Sequence, residues 1–236
     1  FENIDIFDCL EVNTESLFDD SSHSIDRFLN RLPILLHGLT LSIGSVSEDI
    51  PSTYLENLRK VVIETNCSWY SEHLAITNIN GINLRTLMPV DFTESNVSEI
   101  VEKIKKIKDI NQKSFLLENI AYYYPMPNSN LSESEFISKI INDADCGMLL
   151  DLNNIYVNAV NHKYDPYKFI DSLPLDRVVE VHVAGCTRMR GLMVDTHASR
   201  VNEDVTSLFK YLHKKSSIQS VIIERDDKNI DFSEII

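Results

Sequence analysis

Short apolar runs, each ending in a polar or ionisable residue and usually followed by a helical stretch, constrain this chain more than any other feature. In order they are Cys9–Val12, Pro33–Leu36 before His37, Cys67–Tyr70 leading to Glu72 and His73, and Phe115–Leu117 before Glu118. Then come Met148–Leu150 before Asp151, Val178–Val181 before His182, Leu192–Val194 before Asp195, and Val221–Ile223 before Glu224. The third is the weakest strand by composition. Between the runs, Leu55, Leu58 and Val62 recur at helical spacing over Thr53–Glu64, as do Val97, Ile100, Val101, Ile104 and Ile107 over Val97–Ile110. Ser132-Glu-Ser-Glu135 spells a capping box opening a helix through Ile141, and Asp204–His213 reads as a further helix.

Buried strands alternating with helices predict a parallel sheet, because parallel neighbours need a long crossover that a helix usually supplies. Eight such units in 236 residues predict an α/β fold, a TIM (β/α)8 barrel, as a single domain over residues 1–236. One connection breaks the rule: Val183–Gly191 is too short for a helical crossover, so strands 6 and 7 are joined by a loop without a helix.

Lys and Arg number 22 against 36 Asp and Glu, a formal charge of −14. That balance repels phosphate backbones and anionic lipid, which disfavours nucleic acid and membrane as partners. The 6 glycines include neither a Gly-x-Gly-x-x-Gly nor a Gly-x-x-x-x-Gly-Lys-Ser/Thr cradle for phosphates. Cys9, Cys67, Cys146 and Cys186 are scattered with no Cys-x-x-Cys pair, which speaks against a zinc ribbon or a disulfide framework and for a reducing, cytoplasmic setting. No membrane-length apolar run occurs, and Phe1–Asp8 has neither the basic start nor the apolar core of a signal peptide.

The ionisable residues gain meaning on the barrel frame. His37, His73, Glu118, Asp151, His182, Asp195 and Glu224 each close a different run, and in a parallel barrel those ends converge on the face where active sites are built. His197, two residues after Asp195, and Asn154, three after Asp151, belong beside them. One histidine or carboxylate at a strand end is ordinarily a hydrogen-bonded core residue or a helix cap. A whole ring is different, since carboxylates buried together need cations to neutralise them. Imidazole and carboxylate without thiolate fit iron, manganese, zinc or cobalt and disfavour copper(I) or an iron–sulfur cluster. Nine candidate ligands exceed the needs of one ion, so two or three metals are expected, with Glu118 a natural bridge.

The remaining histidines carry weaker signals. His23 and His213 read as solvated surface residues, and His162 as either a pocket-lining or a loop-stabilising residue. Cys186 is the cysteine nearest the expected site. The basic run Glu102–Lys108 reads as a solvated helix face.

Several motifs together resemble a known family: Leu36-His-Gly38 with Leu41-Ser-Ile-Gly44, Ser71-Glu-His-Leu74, Leu116-Leu-Glu-Asn119, and Leu149-Leu-Asp-Leu-Asn-Asn154 extending to Val160-Asn-His162. Val181-His-Val-Ala-Gly185, Val194-Asp-Thr-His197 and Ile223-Glu-Arg-Asp-Asp227 complete the series. The chain resembles, over its whole length, the DUF692 family of multinuclear non-heme iron-dependent oxidative enzymes (MNIO), which includes the methanobactin and 3-thiaglutamate biosynthesis enzymes. The barrel plan also resembles endonuclease IV and the xylose isomerase-like barrels, where zinc or manganese sits in an equivalent ring. Departures from the family pattern are Asn13 and Thr14 where His-Ala is usual, Glu72 where Asp is common, and Ala198 where Asp often follows. The closing helix after the eighth run is expected to be short or missing.

The resemblance implies an iron oxidoreductase that uses O2 to modify a residue, above all cysteine, of a ribosomally synthesised precursor peptide. It implies His37, His73 and Glu118 at one iron, Glu118, Asp151, His182 and Glu224 at a second, and Asn154, Asp195 and His197 at a third. The metals would be two or three Fe ions cycling between Fe(II) and Fe(III). Glu118 and Asp226 are the expected catalytic pair, with His162 and Arg225 in contact with substrate. A partner protein that binds the leader peptide is expected, giving a heterodimer. The alternatives are a zinc- or manganese-dependent phosphoesterase or sugar isomerase on the same ring, and a non-catalytic metal-binding module.

Overall fold

The computed structural model describes residues 6–19, 25–46 and 48–226; His23 and Asp227 lie outside them. In chain order the elements begin with β1 (Leu10–Asn13), β2 (Ile34–Gly38), α1 (Ser52–Thr65), β3 (Trp69–His73), β4 (Ile76–Ile79), β5 (Ile82–Met88) and α2 (Glu94–Asn111). They continue with β6 (Ser114–Glu118), α3 (Glu133–Ala144), β7 (Gly147–Asp151), α4 (Leu152–His162), α5 (Pro166–Asp171), β8 (Val178–Val183), β9 (Cys186–Met189), β10 (Leu192–Asp195), α6 (Glu203–Leu212) and β11 (Ser220–Ile223). Seven strands form one parallel sheet in the order β1-β2-β3-β6-β7-β8-β11, an α/β barrel that is nearly closed. Its edge strands approach each other through side chains, with Cys9 Sγ 3.3 Å from Ser220 Oγ.

The four expected helices form within three residues of their expected bounds, and the capping box is present: Glu135 N–H donates to Ser132 Oγ, and Ser132 N–H to the Glu135 carboxylate. Alternation along each strand sorts the side chains. Leu36, Leu117, Leu150 and Val181 face outward into the main core, against Leu58 of α1, Ile100 and Ile104 of α2, and Phe136 and Ile140 of α3. Leu35, Trp69, Leu116 and Leu149 form a small inner core. Each lies two or four residues before a ring residue on its own strand, so the ring rests on an apolar plug inside the barrel.

Three features depart from the sequence pattern. The run Leu192–Asp195 does not join the barrel sheet; β10 pairs antiparallel with β9, and β11 lies directly against β8. The length of the connection is the reason: with too few residues for a crossover, the chain turns back at once through Arg190 and Gly191, both at positive φ (50° and 92°), as a two-residue hairpin requires. A second hairpin, β4–β5, turns at Asn80-Gly81 (φ 51° and 77°) and follows the barrel strand β3. The basic run on α2 is also not uniformly solvated. Lys105 and Lys106 are exposed, but Lys103 is buried and donates to the Ser45 carbonyl.

All four cysteines are free, and among the described residues no helix is long and apolar enough to cross a membrane.

Candidate metal centre

Strand register brings the ring together. His73 at the end of β3 is the register partner of Glu118 at the end of β6, and Asp151 at the end of β7 is the partner of His182 on β8. His37, the penultimate residue of β2, lies beside Ser71. His37 Nε2 and His73 Nε2 are 3.3 Å apart, and Glu118 Oε2 is 3.3 Å from the first and 3.1 Å from the second. The other Glu118 oxygen lies 3.6 Å from His182 Nδ1, which is 3.2 Å from Glu224 Oε2. Glu118 thus faces two groups able to hold an ion, His37-His73-Glu118 and Glu118-Asp151-His182, and a further group joins Asp151, His197 and Glu224.

Polar neighbours fix which nitrogen each histidine turns inward. His73 Nδ1 donates to the Gly38 carbonyl at 3.0 Å, which leaves Nε2 as a lone pair facing the centre. His37 Nδ1 meets Ser71 Oγ at 2.8 Å, and Ser71 in turn donates to the Leu36 carbonyl at 3.1 Å, so His37 is oriented in the same sense. Burial holds both imidazoles neutral: His73 is pushed down to about 4, and His37 lies well below the ordinary histidine range, with repulsion from His73 and His182 adding to burial. Neutral imidazole is the form that binds a metal.

Glu11 on β1 completes the ring and was not anticipated as a site residue. Both its oxygens lie 3.2 Å from His182 Nε2, the nitrogen opposite Glu118 and Glu224. A carboxylate holding the far N–H of a metal-facing histidine fixes its tautomer and raises its basicity. The signal was present in the sequence, since Cys9, Glu11 and Asn13 alternate onto one face of the first run. Burial lowers the pKa of His182, but Glu11 and Glu224 outweigh it and leave the group well above its usual value.

The third expected group is assembled from outside the barrel. Asp195 ends β10, and His197 sits at φ 47°, a strained setting for a non-glycine residue, with its carbonyl accepting from Asp226 N–H at 3.1 Å. His197 Nε2 is 2.8 Å from Asp195 Oδ1 and 3.7 Å from Glu224 Oε2. Asn154 is buried at the start of α4; its N–H caps on Asp151 Oδ1 at 2.6 Å and its amide donates to the Asn119 carbonyl at 3.1 Å. Asn153, which sequence reasoning passed over, donates to Asp195 Oδ1 at 2.6 Å.

The structure leaves the remaining candidates at or beyond the rim. Asp226 is largely exposed, 3.7 Å from His197 Nδ1, and Arg225 follows Glu224 as a half-buried residue. His162, in the last turn of α4, stacks on Tyr122 at 4.4 Å and bonds its carbonyl at 3.0 Å, the loop-stabilising arrangement. Cys186 is the register partner of Asp195, half-buried, and burial and that carboxylate push its thiol up to about 11. His213 is exposed.

The donor set fits a metal centre. Glu118 Oε2, Asp151 Oδ2, Asn154 Oδ1 and His182 Nδ1 are buried and make no hydrogen bond, and Glu118, Asp151 and His182 all belong to groups able to hold an ion. Orphaned buried acceptors at this density are costly without a cation. The carboxyls record the same conflict. Burial pushes Asp151 up to about 8, with Glu224 and Asp195 adding to it, and raises Glu118 well above its normal range. Burial also raises Glu224, but His182, His197 and His37 reverse that and leave it below its usual value.

A parallel barrel with its polar side chains gathered at the carboxyl ends of the strands is the architecture of TIM-barrel enzymes. Solved structures agree at the level of fold: L-ribulose 3-epimerase superposes with a TM-score of 0.64 at 13% identity, covering 97% of this chain and 74% of its own. The Escherichia coli 3-keto-D-glucoside 4-epimerase gives 0.62 at 14%, covering 97% and 86%. The family is shown by sequence. The model of the RiPP precursor modification enzymes MbnB/TglH/ChrH matches residues 2–236, and the chain belongs to that family. Among its relatives are a UPF0276 protein of Caulobacter vibrioides, 35% identical over 205 residues (87% of this chain, 73% of the relative), and one of Nitrosospira multiformis, 35% identical over 224 (94% and 78%).

Proposed function

We propose that this chain is an iron-dependent oxidoreductase that uses O2 to modify a residue, above all cysteine, of a ribosomally synthesised precursor peptide. The observation that carries the reading is the set of orphaned donors around Glu118, in a family whose members modify such precursors. His37, His73 and Glu118 would hold one ion, Glu118, Asp151, His182 and Glu224 a second, and Asn154, Asp195 and His197 a third. Bound iron supplies redox equivalents for O2 and acidifies a thiol presented to it.

The chain's own residues do the rest. Ser71, the Gly38 carbonyl and Glu11 orient the three ring histidines. The plug of Leu35, Trp69, Leu116 and Leu149 closes the barrel beneath the ring, so a peptide approaches from the side of Glu224, Asp195 and His197, the more open members. Asp226 stands at that mouth beside His197; it and Arg225 would meet the peptide, and a leader-binding partner protein would present it. The free cysteines fit a cytoplasmic setting.

Purification without oxygen, metal analysis, and incubation of the protein with O2 and a cysteine-bearing peptide encoded beside it test this reading. Iron in the ring, O2 uptake and a changed peptide mass are expected. Zinc as the only stoichiometric metal, with turnover indifferent to O2, would replace it with the hydrolase or isomerase alternative.

A further inference from the structure

Asp195 and His197 need an external support, because β10 belongs to a two-stranded hairpin and shares no ladder with the barrel. Much of that support comes from α4, whose first cap is the ring residue Asp151. The primary amide of Asn161 donates to the Met193 carbonyl at 2.8 Å and accepts from Met193 N–H at 2.9 Å. A side-chain amide carries the same donor and acceptor as a peptide group, so Asn161 occupies the place of a missing strand partner along the free edge of β10. Two turns earlier, fully buried Asn153 grips Asp195 itself. A third asparagine of α4, Asn158, makes the same two-bond clamp on a different segment, donating to the Ile120 carbonyl and accepting from Tyr122 N–H, each at 2.9 Å.

We infer that Asn161 is a positioning residue for the Asp195–His197 group, fixing it to Asp151 through α4 and the main chain of β10 while touching none of the proposed ligands. The inference rests on the proposed metal centre and specifies how its outermost part is built. It makes that group separable: His37, His73, Glu118 and His182 are set by the barrel ladder, whereas Asp195 and His197 are held by the amide clamp on Met193, by Asn153, by the Asp195 N–H bond to Tyr123 Oη and by the Asp226 N–H bond to the His197 carbonyl.

The test is an anaerobic Fe(II) titration of full-length Asn161→Ala, counting iron per folded chain, with amide hydrogen exchange of the metal-free protein alongside. Partners bonded directly to metal ligands are typically worth roughly 10- to 100-fold in affinity, and a clamp one step further out is expected to reach about 10-fold, the lower end of that range. The expected result is one site weakened by that factor, the others unchanged, and faster exchange at Met193 and along β9–β10 but not in β7 or β8. Asn161→Asp, which keeps the acceptor for Met193 N–H and loses the donor, is expected to fall between, and it decides the matter if the alanine variant does not fold. Unchanged binding at every site, or equal weakening of all sites in a folded protein, overturns the inference. A wild-type protein that binds no metal sinks the proposed function instead; the exchange rate at Met193 then still reports whether the clamp exists.

Discussion

Glu118 and His73 end neighbouring strands as register partners, and their side chains meet with Glu118 Oε2 3.1 Å from His73 Nε2. The second Glu118 oxygen faces His182 on the opposite side. One carboxylate therefore spans two candidate ion positions. Glu118→Ala is expected to abolish metal loading at both, leaving at most the ion held by Asp195 and His197. Metal analysis of the purified variant checks this; full iron content would sink the bridging role.

His182 turns Nδ1 inward toward Glu224 while both Glu11 oxygens lie 3.2 Å from its Nε2. Glu11→Ala should weaken metal binding by roughly 10- to 100-fold, the usual effect of losing such a partner, with Ser71→Ala acting through His37 in the same range. Competition with a metal-sensitive dye measures both, and unchanged affinity in Glu11→Ala would remove the orienting role.

Metal loading is expected to weaken with acidity. Asp151 is pushed up to about 8 by burial and by Glu224 and Asp195. Burial pulls His197 down, but the hydrogen bond and charge of Asp195 outweigh it and bring the group to about 9. Both ligate only after losing a proton, so below the Asp151 value each bound ion must displace protons, and affinity falls as pH falls from about 8 to about 6. Calorimetry in two buffers of different ionisation enthalpy should show protons released on binding. An affinity flat across that interval would contradict it.

Beneath the ring, Trp69 Nε1 donates to Glu180 Oε2 at 2.7 Å, while Glu180 Oε1 has no hydrogen-bond partner. Burial, with Glu11 adding to it, raises this carboxyl to about 8. Trp69→Phe removes the one donor and should destabilise the protein by about 1–3 kcal/mol. Thermal denaturation would register this as a loss of about 2–4 °C per kcal/mol for a chain of this size. A melting temperature equal to wild type would show that the indole N–H does not support Glu180.

The sequence alone determined the strands and their polar ends. Runs such as Phe115–Leu117 and Met148–Leu150 are apolar on both faces because helices cover one side and the barrel interior the other, so a continuous run marks a strand and the next ionisable residue marks its carboxyl end. His37, His73, Glu118, Asp151 and His182 were legible for that reason, and the helices because their apolar spacing survives in one dimension. What it left open depends on partners distant in the chain. Asn80-Gly81 carried a hairpin signal that was passed over, but the exit of β10 from the barrel follows from how few residues separate it from β8. Only the tertiary structure decided that Glu11 meets His182 across 171 positions of chain, and that Asn161 of α4 takes the place of a strand partner beside β10. Local propensity and hydrophobic period are properties of neighbouring residues. Which nitrogen a histidine turns inward, and which main chain an amide clamps, are set where the folded chain brings remote segments within hydrogen-bonding distance.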